Sequence, residues 1–328
     1  MAAREAAQVF HRLEIWVPIK RKEEAMKSMV AGPRRRRWEV ALVLITALWG
    51  WSFVAIQAAL GELSDSAFNA YRFLAAALVM LVALVARRVP ISRTDLVQGG
   101  MAGLALYLAF LFQTKGLMFT TASNAAFITG LAVIFTPLML FACFRVLPGK
   151  PQLLGALLAT IGLALLTLKG LSVRAGDLLV LLCAASFALH IIILSRASKV
   201  ADIVNLAFIQ VVVVGLLSLA QSLVLRELSV PRDAATIQAI LVIGILGTAL
   251  GFYVQTQAQF ASSPNRIALI IVLEPVFGGW FGYLLAGDRL SLPNWIGAAL
   301  IVTGMLVAEA RFPARRARAL RPGSHANG

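Results

Sequence analysis

The chain has 328 residues, of which 60% are hydrophobic and 14% are charged, and its mean hydropathy is +0.84. A soluble domain needs about a quarter of its residues charged, so this composition excludes a soluble globular protein and indicates an integral membrane protein. The formal net charge of +15 could suit a nucleic acid, but no folded motif or aromatic interleaving accompanies the basic residues. We therefore expect no nucleic-acid partner.

The predicted elements begin with a polar segment, residues 1–38, that holds ten of the thirty Lys and Arg residues. We expect a basic cytoplasmic segment that is a candidate for disorder. Residues 311–328 hold five more basic residues and are expected to form a basic cytoplasmic tail.

Ten apolar runs, each bounded by charged residues, lie between these two segments. Each run is close to the ~20 residues that a helix needs to cross the hydrocarbon layer. The fold class predicted is therefore an all-α membrane protein with ten transmembrane helices. The runs cover 40–61, 66–86, 95–113, 121–144, 151–168, 177–195, 203–225, 235–257, 266–286 and 293–310.

The distribution of basic residues predicts the orientation. With both termini in the cytoplasm, 23 Lys and Arg residues lie inside and 6 lie outside, as the positive-inside rule expects. The sequence thus predicts a multi-pass protein of the cytoplasmic (inner) membrane, with the loop at 225–235 outside.

The ten runs consist of two copies of five, because matching residues recur at a spacing of 138 or 142. An odd number of spans per copy inverts the second copy in the membrane, an architecture of secondary transporters whose site lies where the repeats meet. The first repeat is predicted at 39–170 and the second at 171–310. The matches are Arg72 with Gln210, Pro137 with Pro275, Gln113 with Gln255, and Gly155 and Gly162 with Gly297 and Gly304.

Aromatic and polar residues follow one face of span one. Spacings of four, three and four place Thr46, Gly50, Phe53 and Gln57 on that face, with Trp49 at its edge. This face is a candidate wall of a solute cavity, which would explain a tryptophan in the middle of a span. Simple packing of Trp49 between helices is the alternative.

A similar stripe in span eight contains Phe252 and Gln255. Amides in hydrocarbon are costly unless they have partners, so this stripe is expected to face inward. Gln113 and Asn124 are the corresponding candidates in the first half. Hydrogen bonding between helices, without solute contact, remains open for all of them.

Three ionisable residues, Arg72, His190 and Glu274, lie within spans. A charge at the centre of a span costs roughly 2.5–3.5 kcal/mol, so each should face protein or water. Arg72 is expected to be structural, reaching the interface or pairing with Asp65. His190 is either a packing residue or a cavity residue linked to a proton.

Glu274 precedes Pro275 near the middle of span nine. Proline lacks a backbone N–H and crowds the preceding turn, so a bend is predicted here. Glu274 is a candidate proton-coupling residue together with His190. A structural carboxyl bonded to a neighbouring helix is the alternative.

Several segments together resemble the EamA-type members of the drug/metabolite transporter (DMT) superfamily, over roughly 39–310. The resemblance implies ten helices in two five-helix repeats around a central cavity, and movement of small metabolites, amino acids or drugs. This family usually has Glu at the position of Asp288, a change that keeps the charge. The segments are ALWGWSFVAIQ, YRFLAAALVML, LFQTKGLMFTTASNAAFITGL, GTALGFYVQTQAQ, ALIIVLEPVFGGWFGYLLAGDRL and NWIGAALIVTGMLV.

The predicted function is a secondary transporter that moves small organic solutes across the cytoplasmic membrane by alternating access, with export favoured by the resemblance. No catalytic or metal-binding motif is found, so no enzyme, metal or cofactor is predicted; a membrane receptor or scaffold and a membrane-embedded enzyme are the alternatives. The expected partners are the solute, the lipid bilayer and a coupling proton, and the oligomeric state is left open. The candidate solute-binding residues are Trp49, Phe53, Gln57, Gln113, Asn124, His190, Phe252 and Gln255.

Overall fold

The computed structural model describes residues 33–145, 147–167, 174–198, 200–261 and 270–309. These residues form helices and turns without any strand, which confirms the all-α prediction for the described part of the chain. The predicted terminal segments, 1–38 and 311–328, fall largely on residues 1–32 and 310–328, which lie outside it, and residues 33–38 are helical rather than disordered. In chain order the helices are α1 (Pro33–Ala59), α2 (Asp65–Arg87), α3 (Arg93–Leu117), α4 (Ala122–Gly130), α5 (Ala132–Phe144), α6 (Lys150–Thr167), α7 (Ala175–Ala197), α8 (Ile203–Val224), α9 (Ala234–Val242), a π-helical segment (Ile243–Leu250), α10 (Gly251–Ala261), α11 (Leu273–Leu285) and α12 (Leu292–Glu309).

Seven helical stretches in the described residues are long and apolar enough to cross a membrane. Five of them are single helices, one joins α4 to α5, and one runs from α9 through the π segment to α10. The chain is therefore a multi-pass membrane protein. Of the three other predicted runs, two correspond to the shorter apolar helices α6 and α12, and the run 266–286 is only partly described.

Short polar residues begin the helices at the ends of the spans, where backbone N–H groups lack helical partners. Ser92 and Asp95 form a capping box at the start of α3. The side chain of Asp202 accepts hydrogen bonds from the backbone of Val204 and Asn205 at the start of α8. These caps lie close to the boundaries that the charged residues predict.

Two spans are interrupted at similar positions in the two halves of the chain. The first half has a break at Leu131, between α4 and α5, and the second has one at Val272, before α11. Pro275 consequently lies in the first turn of α11, where its missing N–H removes no helical hydrogen bond. The predicted bend is thus an interruption of the helix three residues before the proline.

Many of the helix contacts have a counterpart when α1 to α6 are exchanged with α7 to α12. The pairs α6–α12, α2–α8 and α4–α11 map onto themselves. The packing of α3 on α7 corresponds to that of α10 on α1, and the packing of α3 on α8 to that of the π segment on α2. Likewise α1 packs on α11 as α7 packs on α4 and α5.

Glycines allow the backbones of α6 and α12 to approach closely. A Cβ placed on Gly162 would lie 2.5 Å from the carbonyl oxygen of Gly297, and one on Gly155 would meet the carbonyl of Gly304. Real Cβ atoms do not approach that closely, so only glycine fits. Outward-facing residues such as Val82 on α2, 68% exposed, present the apolar surface that lipid covers.

Candidate functional site

The described residues form a cavity between the two halves of the chain. The cavity is lined by residues of α1, α2, α3, α4, α5, α7, α10 and α11 and by Ile271 just before α11. Both helix interruptions reach it, since Thr129 and Gly130 precede one break and Ile271 and Glu274 flank the other.

Aromatic rings form much of this wall. The ring of Phe110 contacts Phe187 at 5.4 Å and Phe252 at 6.2 Å between centroids, and Trp49 contacts Phe252 at 5.9 Å. Trp49 also donates a hydrogen bond of 2.7 Å from Nε1 to the carbonyl oxygen of Gly247, in the π segment. Trp49 is therefore both a packing residue between α1 and the π segment and a residue of the wall.

Polar side chains reach the cavity between the rings. Gln113 donates from Nε2 to Thr129 Oγ1 at 3.4 Å, and Nε2 of His190 lies 2.8 Å from Oε1 of Gln210. The oxygen Oε1 of Gln255 is buried and has no hydrogen-bond partner among the described residues. A solute hydrogen-bond donor could satisfy that oxygen.

The structure contradicts the position predicted for Arg72. Its side chain is 2% exposed and points from α2 into the cavity wall, where Nε donates to Thr248 Oγ1 at 2.8 Å. Asp65 is paired with Lys115 instead, at 3.4 Å. The prediction considered only the distance of Arg72 from the end of its span, but the helical face on which it lies turns it inward.

Seven of the nine predicted site residues line the cavity: Trp49, Phe53, Gln113, His190, Phe252, Gln255 and Glu274. Gln57 and Asn124 are not among the lining residues. Gln57 donates from Nε2 to the carbonyl oxygen of Thr120 at 2.9 Å. Asn124 is buried in the first turn of α4, with its backbone N–H bonded to Thr121 Oγ1.

Sequence reasoning missed nine residues that line the cavity: Ser52, Arg72, Phe110, Thr129, Gly130, Ala132, Phe187, Ile191 and Ile271. For four of them, Ser52, Phe110, Phe187 and Ile191, the repeat spacing from a predicted site residue was an available signal. Phe187 lies 138 residues after Trp49, and Phe110 lies 142 residues before Phe252.

The repeat spacing pairs many wall positions of the first half with wall positions of the second half. The two positions of each pair are separated by 138 or 142 residues, the spacings of the repeats, and both line the same cavity. The pairs are Trp49 with Phe187, Ser52 with His190 and Phe53 with Ile191 at 138, and Phe110 with Phe252 and Gln113 with Gln255 at 142.

The sequence pattern of the EamA-like transporter family matches residues 36–168 and, a second time, residues 174–309. The chain belongs to the EamA-like transporter family. The resemblance found in the sequence is thereby confirmed.

Curated relatives match over most of their own length. An uncharacterized transporter of Archaeoglobus fulgidus is 30% identical over 281 residues, which cover 85% of this chain and 88% of the relative. A probable amino-acid metabolite efflux pump of Escherichia coli (strain K12) is 27% identical over 304 residues, covering 88% of this chain and 99% of the pump. This EamA-like protein is a membrane transporter.

A solved protein crystal structure has a similar fold, with a TM-score of 0.60 and 20% sequence identity. The match covers 81% of this chain and 94% of that one. At this level of identity the similarity concerns the fold alone.

Proposed function

We propose that this protein is a secondary transporter that moves small organic solutes through the cavity by alternating access across the cytoplasmic membrane. The observation that carries the proposal is that the cavity wall is built from paired positions of the two halves of the chain, separated by fixed spacings. A site at the interface of two repeats is the arrangement of many secondary transporters.

The repeats are 39–170 and 171–310, related by inversion in the membrane and containing ten spans in all. The exchange of helix contacts between the halves supports this architecture. The glycine contacts support it too, because exchanging the repeats turns the contact of Gly155 with Gly304 into that of Gly297 with Gly162. The interruptions of span four and span nine are the discontinuous helices that such carriers use at their sites.

The solute lies against the aromatic rings and is oriented by the amides of Gln113 and Gln255. The buried oxygen Oε1 of Gln255, which has no hydrogen-bond partner among the described residues, supports this role. A scaffold would not need a cavity with these polar groups, and no observation on the described residues favours one.

Proton coupling involves Glu274. This residue is half-buried, lies in the first turn of α11 and faces the cavity. His190, the other proton-binding candidate, is fixed by Gln210 on α8. Protonation of Glu274 from one side and its release to the other would link solute movement to a proton gradient.

Both termini are cytoplasmic in this proposal, and the direction is export. The basic termini support the orientation. Export is supported by the name of the Escherichia coli relative, a probable amino-acid metabolite efflux pump.

Two variants of α10, placed two residues apart, test the proposal in proteoliposomes loaded with labelled amino acids and aromatic metabolites. Gln255→Ala removes an amide from the cavity wall, whereas Gln257→Ala removes one that is bonded to Tyr253, outside the cavity lining. We expect efflux in the wild type, slower efflux with Gln255→Ala and wild-type rates with Gln257→Ala. Equal efflux rates for the two variants would show that Gln255 does not contact the solute.

A further inference from the structure

We propose that Arg72 binds a carboxylate of the solute, so that the transported class is organic acids with an apolar, ring-bearing body. This inference rests on the proposed function, transport through the cavity. It adds a binding residue and a chemical class.

The guanidinium of Arg72 is held in place but not satisfied. Thr248 accepts from Nε at 2.8 Å, and the guanidinium carbon lies 4.6 Å from the ring centroid of Phe110 and 5.1 Å from that of Phe73. Nη1 is buried without a hydrogen-bond partner among the described residues. A buried donor on a charged group is costly to leave unpaired. A ligand that accepts a hydrogen bond from it removes much of that cost, which favours binding.

The acceptor that fits best is a carboxylate. Arginine binds carboxylates with two parallel hydrogen bonds, which are stronger than bonds to neutral acceptors. A neutral solute would accept at most one bond from Nη1 and leave the buried positive charge uncompensated. The rigid contacts at Nε and over the two rings preorganise the remaining donors for this geometry.

Glu274 is the only other residue with a full charge among the described lining residues, and it forms no ion pair with Arg72. The titratable groups that face this part of the cavity are His190 and, beside Thr129, the thiol of Cys183. An ionised Glu274 attracts Arg72 and repels an anionic solute. Removing its charge should therefore strengthen the binding of a carboxylate.

The rest of the wall determines the solute body. Trp49, Phe110, Phe187 and Phe252 line the same cavity as the guanidinium. Phe110 contacts both the arginine and two of the other rings. An aromatic ring one or two bonds from the carboxylate can stack there while its acid group reaches Nη1.

Three probes with the same ring separate charge from shape: phenylacetate, phenylacetamide and 2-phenylethylamine. Their affinity for the purified full-length chain at pH 7 is measured by isothermal titration calorimetry. We expect phenylacetate to bind at least about tenfold tighter than phenylacetamide, since a charge-assisted hydrogen bond exceeds a neutral one by that order. Arg72→Gln should remove this difference, because it weakens the binding of phenylacetate more than that of phenylacetamide.

Equal affinities of the wild type for the three probes, tightest binding of the amine, or no binding of any probe would overturn the assignment. Because Arg72→Gln can also impair folding, Glu274→Gln provides an independent test. At pH 9, where the carboxyl of Glu274 is more fully ionised, it should tighten phenylacetate binding several-fold, and unchanged or weaker binding at that pH contradicts the proposal. Efflux of phenylacetamide without any preference for phenylacetate would reject this class while leaving the transport function intact.

Discussion

Two neighbouring glycines on α3 give a sharp test of how this helix packs. A Cβ placed on Gly99 would lie 2.7 Å from Cβ and 2.8 Å from Cγ2 of Ile209 on α8, whereas one placed on Gly100 would have no heavy atom within 4 Å. Carbon atoms prefer about 3.5–4.0 Å. The Gly99→Ala variant must therefore separate α3 from α8 by several tenths of an ångström, because a Cβ cannot rotate away.

Both substitutions give α3 the same gain in helix propensity, so that gain cancels in their comparison. The remaining difference is the cost of overpacking, about 1–3 kcal/mol. We expect Gly99→Ala to be less stable than Gly100→Ala by this amount, measured as the free energy of unfolding in detergent micelles. Equal stability of the two variants would show that α3 and α8 are not packed as described.

Three further predictions concern a buried hydrogen bond, an exposed carboxylate and the orientation. Trp49→Phe leaves the Gly247 carbonyl without its donor, so the free energy of unfolding should fall by about 1–3 kcal/mol; a stability equal to that of wild type would contradict this. Backbone N–H groups of Arg232 and, more weakly, Asp233 hold the pKa of Glu62 below its ordinary value. The ionised carboxylate therefore stabilises the fold at neutral pH, and this stabilisation is lost as the pH falls through the folded-state pKa. The melting-temperature advantage of wild type over Glu62→Gln should shrink from pH 7 to pH 4, and an advantage that grows would refute the prediction. Ser229→Cys should react in intact cells with a membrane-impermeant thiol reagent, whereas reaction only after lysis would reverse the proposed orientation.

The helices could be predicted from the sequence because the bilayer imposes one length and one polarity on each span. Most predicted runs lie within a few residues of the observed helices, as the run 203–225 and helix α8 show. The interruption at Leu131 has no such signal. It lies in an apolar stretch next to Gly130, but glycines such as Gly103 lie inside a continuous helix, and Pro137 lies inside α5.

The cavity could be predicted in part, because a polar side chain in the middle of a span must face protein or water. That rule located Gln113 and Gln255 in the wall. It is not decisive near the ends of spans, where backbone carbonyls can accept an amide, as Thr120 does from Gln57. Phenylalanines such as Phe187 have no polar group that distinguishes the cavity from lipid, so only the repeat spacing could have indicated them.

In the proposed transport cycle a single cavity opens in turn to each side of the membrane. Ser52 lines the cavity and is small enough to replace with cysteine in a background with Cys143→Ala and Cys183→Ala. The measurement is the labelling of Ser52→Cys by a membrane-impermeant thiol reagent in right-side-out and in inside-out vesicles, with the outward-facing Leu78→Cys as control. We expect labelling of Ser52→Cys from both sides and none of Leu78→Cys. Labelling of Ser52→Cys from neither side, or from one side only, would contradict alternating access.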